Sequence, residues 1–176
     1  MKEILLSLNQ TPLFFNTTGR KIPIRFAALT ISVHSRYKVL KVESSCSYER
    51  ALARFWAKFI DDKCVHAVVK AFVRDANEQS DAEACEQLQI LENELKVKGT
   101  KFFGGDDINL VDIAAILVAY WFGIFQEVAE KEMITKDKFP KITVWADNVV
   151  NHEVVKQVLP PRENMVAFFQ KRFGKA

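Results

Sequence analysis

Three sets of side chains in this 176-residue sequence have types that could do chemistry, and their spacing decides which. Cys46, Cys64 and Cys85 are thiols, but no two form a Cys-x-x-Cys pair. An odd number of cysteines without a clear secretory signal fits reduced thiols in a cytosolic compartment. His34, His66 and His152 lie far apart, with no ligand-like spacing to a Cys or carboxylate pair, so no metal site is expected and isolated surface or half-buried histidines are. Asn109 and Asp112 stand three apart in the stretch FFGGDDINLVDIAAILVAYWF, Phe102 to Phe122. A motif search would read Asp112 as functional. Its expected work is structural: Asn109 accepts from the first free amides of a helix, and Asp112 reaches back to the cap N–H, a variant of the capping box. Asp112 also suits the positive helix end, and Ile108 and Ile113 can close over the turn as a hydrophobic staple.

The elements around these residues follow from hydrophobic period. From Ile113 to Phe125 almost every residue is apolar, a run too short for a membrane span, which predicts a buried core helix from Asn109 to about Lys131. Upstream, Ser47 is a plausible N-cap. Leu52, Phe55, Trp56, Phe59 and Ile60 then follow the spacing of one helix face, and the pattern continues through Cys64, Ala67, Ala71 and Phe72 to about Arg74. A polar break at Asn77 to Asp81 precedes a second helix striped by Ala84, Leu88, Leu91 and Leu95 and stopped at Gly99. Phe139-Pro140 opens another helix, to which Ile142, Val144, Trp145 and Val149 supply apolar contacts. A short helix from His152 to Val158 and a last one from Arg162 to about Phe173 complete the set. Trp56 and Trp145 are assigned to the core. Residues 48–176 are thus expected to form an all-helical bundle of about six helices around the Asn109 helix, a mainly α fold.

Composition separates the first quarter of the chain from the rest. Hydrophobic residues make up 49%, enough for a sizeable core. Net charge is +3, yet residues 1–47 carry seven Lys or Arg against two Glu, so the remainder is net negative. In that first segment, residues 4–8, 22–33 and 37–42 read equally well as strands or short helices. No helix-turn-helix or interleaved aromatic pattern accompanies the basic residues, so no nucleic-acid partner is expected, nor a membrane one.

Four blocks carry a resemblance: SYERALARFWAKFIDDKC from Ser47, KFFGGDDINLVDIAAILVAYWF from Lys101, FPKITVWADNVV from Phe139 and VVKQVLPPRENMVAFFQKRF from Val154. Together, and in this order, they are similar to the C-terminal helical domain of plant tau-class glutathione transferases. The resemblance implies a glutathione-transferase C-terminal all-helical domain at 48–176. At 1–47 stands a short, atypical segment in place of a full thioredoxin-like domain, since one βαβ unit alone takes about 30 residues.

The resemblance also implies a function: attack of the glutathione thiolate on hydrophobic electrophiles, with glutathione as co-substrate and no cofactor, in the cytosol, by a homodimer. The alternative is a catalytically inactive form that acts as a hydrophobic-ligand-binding helical domain. The family's thiol-activating Ser-Pro step has no counterpart, because no Ser here precedes a Pro, and the catalytic residue is unassigned. Ile22 and Pro23 resemble the family's Val-Pro step that pairs with the cysteinyl part of glutathione. Glu43 and Ser44 resemble the pair that holds its γ-glutamyl end. The electrophile-facing positions fall on Val65, Val69, Phe72, Trp121, Phe168 and Arg172. Spacings of four and three also make Val65, Val69 and Phe72 an ordinary core stripe.

Overall fold

The computed structural model describes residues 46–74 and 77–173. Helix α1, residues 47–74, is shaped by buried residues that recur every four positions: Trp56, Ile60, Cys64 and Val68. At 3.6 residues per turn, each step of four drifts about 40° around a regular α-helix. The helix offsets this drift by alternating regular turns, Ser47–Phe59 and His66–Val69, with wide π turns at Ile60–Val65 and Lys70–Arg74. Its start differs from the expected cap. Cys46 is the N-cap and makes no side-chain cap bond, while Ser47 is the first helical residue, its Oγ accepting from the Arg50 guanidinium at 3.1 Å.

Helix α2, Glu78–Lys98, begins inside the polar stretch that reads as a break. Asn77 Oδ1 accepts from Ser80 N at 2.8 Å and Ser80 Oγ accepts from Asn77 N at 3.2 Å, so those polar residues are the cap and first turn. Ala84, Leu88, Leu91 and Leu95 are buried, as their stripe predicts. Gly99 ends the helix in the left-handed region at φ 64, its N–H donating to Leu95 O at 3.0 Å.

The apolar run from Asn109 is two helices rather than one. Helix α3, Leu110–Ala114, stops at Ala115, whose ψ of 6 leaves helical geometry. Helix α4, residues 117–129, opens with the π turn Leu117–Trp121 and continues through Phe122–Ala129, where Glu130 at φ 51 terminates it. Every residue from Val111 to Ile116 is buried, as are Val118, Tyr120, Trp121, Phe122, Ile124 and Phe125. Helix α5 is Pro140–Asn151, with Pro at its first position, α6 is Glu153–Lys156, and α7 is Arg162–Phe173. Ile142, Trp145 and Val149 are buried on α5, whereas Val144 is 59% exposed, two residues along from Ile142 and off the buried face.

Helices α3 and α4 form the centre. The first half of α1 packs on α3, α5 packs on α4 and α2, and α7 packs on α4. Glu92 adds a tie that helical period cannot show. It is fully buried on α2, and its two carboxylate oxygens accept from Lys141 N at 3.1 Å and Ile142 N at 2.8 Å, the first free amides of α5. The N-cap of α5 is Phe139, whose side chain has no acceptor, so Glu92 does that work from another helix. Among the described residues, no helix is long and apolar enough to cross a membrane.

Candidate functional site

The Asn109–Asp112 pair forms a capping box, and Asp112 does more than the spacing implies. Asn109 Oδ1 accepts from Val111 N at 2.8 Å and Asp112 N at 3.3 Å, and Asp112 Oδ2 accepts from Asn109 N at 2.9 Å. The carboxylate also receives Phe103 N at 2.9 Å, Gly104 N at 3.3 Å and the Trp145 indole N–H at 2.7 Å. Burial pushes its pKa above the ordinary aspartate range, while the hydrogen bonds from Trp145, Asn109, Phe103 and Gly104 pull against that. The Phe102–Gly105 turn that brings these amides in is closed by a reciprocal backbone pair at 3.0 and 3.1 Å. At Gly104 a Cβ would run into the Asp107 carbonyl. With these bonds, Asp112 holds three segments of the fold together.

The residues expected to face an electrophile lie on α1, α4 and α7, and aromatic contacts join three of them. Phe169 on α7 is the hub: its ring meets Trp121 at 5.9 Å, Phe125 at 5.3 Å and Phe168 at 5.3 Å, each edge to face. Phe72, in the last turn of α1, reaches the same group through Phe125 at 6.3 Å. Trp121 and Phe169 are buried, and Phe168 is 39% exposed at the edge of the cluster. Val65 and Val69 are half-buried against the core from α1. The Arg172 side chain lies outside the described residues, as do Ile22, Pro23, Glu43 and Ser44.

Phe125 and Phe169 join the cluster without being among the expected site residues. Trp121 and Phe125, four apart on one helix face, carried a signal for the first. The second sits next to Phe168, where a helix turn separates neighbours by about 100° and only packing reveals that both rings meet.

Two anchors seat α7 on α4. The Tyr120 hydroxyl donates to Pro160 O at 2.6 Å, and burial raises its pKa against the opposing field of Arg162. The Arg162 guanidinium donates to Gly123 O at 3.2 Å and to Glu127 Oε2 at 2.8 Å. Of the rings in this apolar cluster, Phe168 and half-buried Phe72 reach the surface, while Trp121, Phe125 and Phe169 lie behind them in the core. Cys64 offers no nucleophile, because burial pushes its thiol up to about 12 and the thiolate is the reactive form.

A separate cleft of about 540 Å³ lies between the start of α1, the end of α2 and the loop into α3. Arg50, Trp56, Lys98, Phe103 and Ile108 are among its walls, and none of Val65, Val69, Phe72, Trp121 or Phe168 lines it.

Comparison with known proteins places these features in a family. Residues 55–153 match the family described as glutathione S-transferase, C-terminal domain. A probable glutathione S-transferase of Glycine max is 40% identical over 185 residues, covering 98% of this chain and 81% of that protein. One from Nicotiana tabacum is 48% identical over 128 residues, covering 72% and 56%. Glutathione S-transferase U8 of Arabidopsis thaliana is 46% identical over 129 residues, covering 72% and 57%. The chain thus spans little more than half the length of the tobacco and Arabidopsis relatives. Among solved structures, the tau-class glutathione S-transferase MiGSTU from mango superposes with a TM-score of 0.70 at 25% identity, over 96% of this chain and 80% of that one.

Proposed function

Because this chain belongs to the glutathione S-transferase family, in its plant tau class, we propose that it joins the glutathione thiolate to hydrophobic electrophiles, the aromatic cluster receiving the electrophile. The observation that carries this reading is the convergence of Phe72, Trp121 and Phe168, from three helices, on Phe125 and Phe169. In the reaction the glutathione S–H loses its proton, and the sulfur attacks an electrophilic carbon. A C–S bond forms, and either a leaving group departs with its electron pair or those electrons pass into a conjugated system and are protonated.

The cluster contains no titratable side chain, so its part is to take a flat ring out of water and orient it, leaving the thiolate to a glutathione site. Ile22, Pro23, Glu43 and Ser44 are the residues assigned to that site. Family membership further supports a homodimer and a cytosolic setting for the chain.

The test is the initial rate of glutathione conjugation to 1-chloro-2,4-dinitrobenzene by the full chain and by Trp121→Ala, each first shown to be helical by circular dichroism. The expected result is a clear rate whose KM for the dinitrobenzene rises in the variant, with KM for glutathione unchanged. No rate above background from folded protein would overturn the reading.

A further inference from the structure

Lys131 follows Glu130, the left-handed residue that ends α4, and the backbone beyond it is fixed by Gln126. The Gln126 carboxamide oxygen accepts from Met133 N at 2.8 Å and from Ile134 N, and its Nε2 donates to Ile134 O at 3.3 Å. Thus placed, the Lys131 ammonium meets three partners. It pairs with the Asp81 carboxylate in the first turn of α2, donates to Ala71 O at 3.4 Å in the last turn of α1, and lies 5.5 Å from the centroid of the Phe72 ring. Of the three N–H groups of an ammonium, two thus have protein acceptors, and the charge itself lies over the ring.

We propose that Lys131 is the positioning residue that sets the shape of the aromatic site by holding Phe72 against Phe125; the inference rests on the reading of that cluster as the electrophile site. Phe72 sits in the π turn Lys70–Arg74 that ends α1. Carbonyls in a last turn lack helical partners and carry the negative end of the helix dipole. Lys131 supplies one of them with a donor and a positive charge. Asp81, near the start of α2, suits the positive end of that helix. The two side chains are 29% and 31% exposed, so water and salt screen the pair less than a fully exposed one. A second pair across the same junction, Lys70 to Glu83 at 2.7 Å, leaves the Phe72 ring itself to Lys131. Removing the ammonium takes away both the cation over the ring and the donor to the carbonyl before it, so the wall that Phe72 makes is no longer held.

With its ammonium committed to Asp81, Ala71 and the Phe72 ring, Lys131 acts through Phe72 and not on the ligand, and the ligand's charge should not matter. The test uses two matched probes on the full chain: anilinonaphthalene sulfonate, an anion, and N-phenyl-1-naphthylamine, its neutral relative. Binding is measured by probe fluorescence for the parent, Phe72→Ala, Lys131→Met and Lys131→Arg, with helical content checked for each. Phe72→Ala and Lys131→Met are expected to weaken both probes alike, by about threefold to tenfold, and Lys131→Arg to restore most of the loss.

A loss confined to the sulfonate would make Lys131 a ligand contact and overturn the proposal. Unchanged binding in Lys131→Met, beside weakened binding in Phe72→Ala, would overturn it too while leaving the site reading intact. Unchanged binding in Phe72→Ala would remove the site reading itself, and the proposal with it. Asp81→Asn carries the test if Lys131→Met loses helical content: it keeps the ammonium but removes its carboxylate, and should weaken both probes equally by a smaller factor. Unchanged binding there would likewise overturn the role.

Discussion

The indole N–H of Trp145 donates to Asp112 Oδ1 at 2.7 Å, so the carboxylate that caps α3 also holds the middle of α5. A helix start and a helix–helix contact therefore depend on one buried side chain, and the cost of removing it should exceed that of an ordinary cap.

Asp112→Ala leaves the Trp145 indole and the amides of Phe103 and Asn109 without an acceptor in a dry site. The expected loss is about 3 kcal/mol or more, above the ~1 kcal/mol typical of a cap alone. Urea unfolding of the variant measures it. A loss below about 1 kcal/mol would mean that neither the cap nor the indole bond matters to stability. Asp112→Asn keeps one acceptor oxygen and should fall between the two.

Glu92→Gln retains the length of the side chain but offers one oxygen to two amides, those of Lys141 and Ile142. Stability should drop by about 1 to 2 kcal/mol. Hydrogen exchange gives the sharper readout: the amides of residues 141 and 142 should exchange faster while those of α7 keep their rates beyond the global change. Equal acceleration everywhere would show that Glu92 does not act as the cap of α5.

Cys64 has no accessible surface, and burial pushes its thiol up to about 12 from an ordinary 9.0. Below pH 9 both folded and unfolded chains keep the proton, and the contribution of Cys64 to stability is complete. Between 9 and about 12 the unfolded chain releases its proton while the folded chain retains it, so stability falls as pH rises. Unfolding midpoints measured across that range should decline less steeply in Cys64→Ala than in the parent. Parallel curves would refute the burial argument.

Several helix starts and stops were legible from single residues, though Ser47 was misread as a cap and Asn77, a true cap, as part of a break. Asn109, Gly99 and Pro140 mark such ends, and each lies where the sequence places it, as does the start of the last helix at Arg162. The break at Ala115 was not legible, because an all-apolar run contains no polar residue to signal a change of direction. Glu92 was hidden for a different reason: a carboxylate on a polar helix reads as solvated, and only the approach of α5 turns it into a buried acceptor. In the aromatic cluster, Trp121 and Phe72 were named by resemblance. Phe169 enters it because α7 docks through Tyr120 and Arg162, a contact between helices that no local pattern records.

The two carboxylates that grip α5 lie earlier in the chain than the groups they receive: Glu92 and Asp112 precede Lys141, Ile142 and Trp145. A ribosome makes a chain from its N-terminus, so both acceptors emerge before the helix that needs them. Until then water can solvate them. Helix α5 has no cap of its own, and an excised peptide of residues 139–151 would be a poor helix; in the growing chain its order is supplied by what has gone before it.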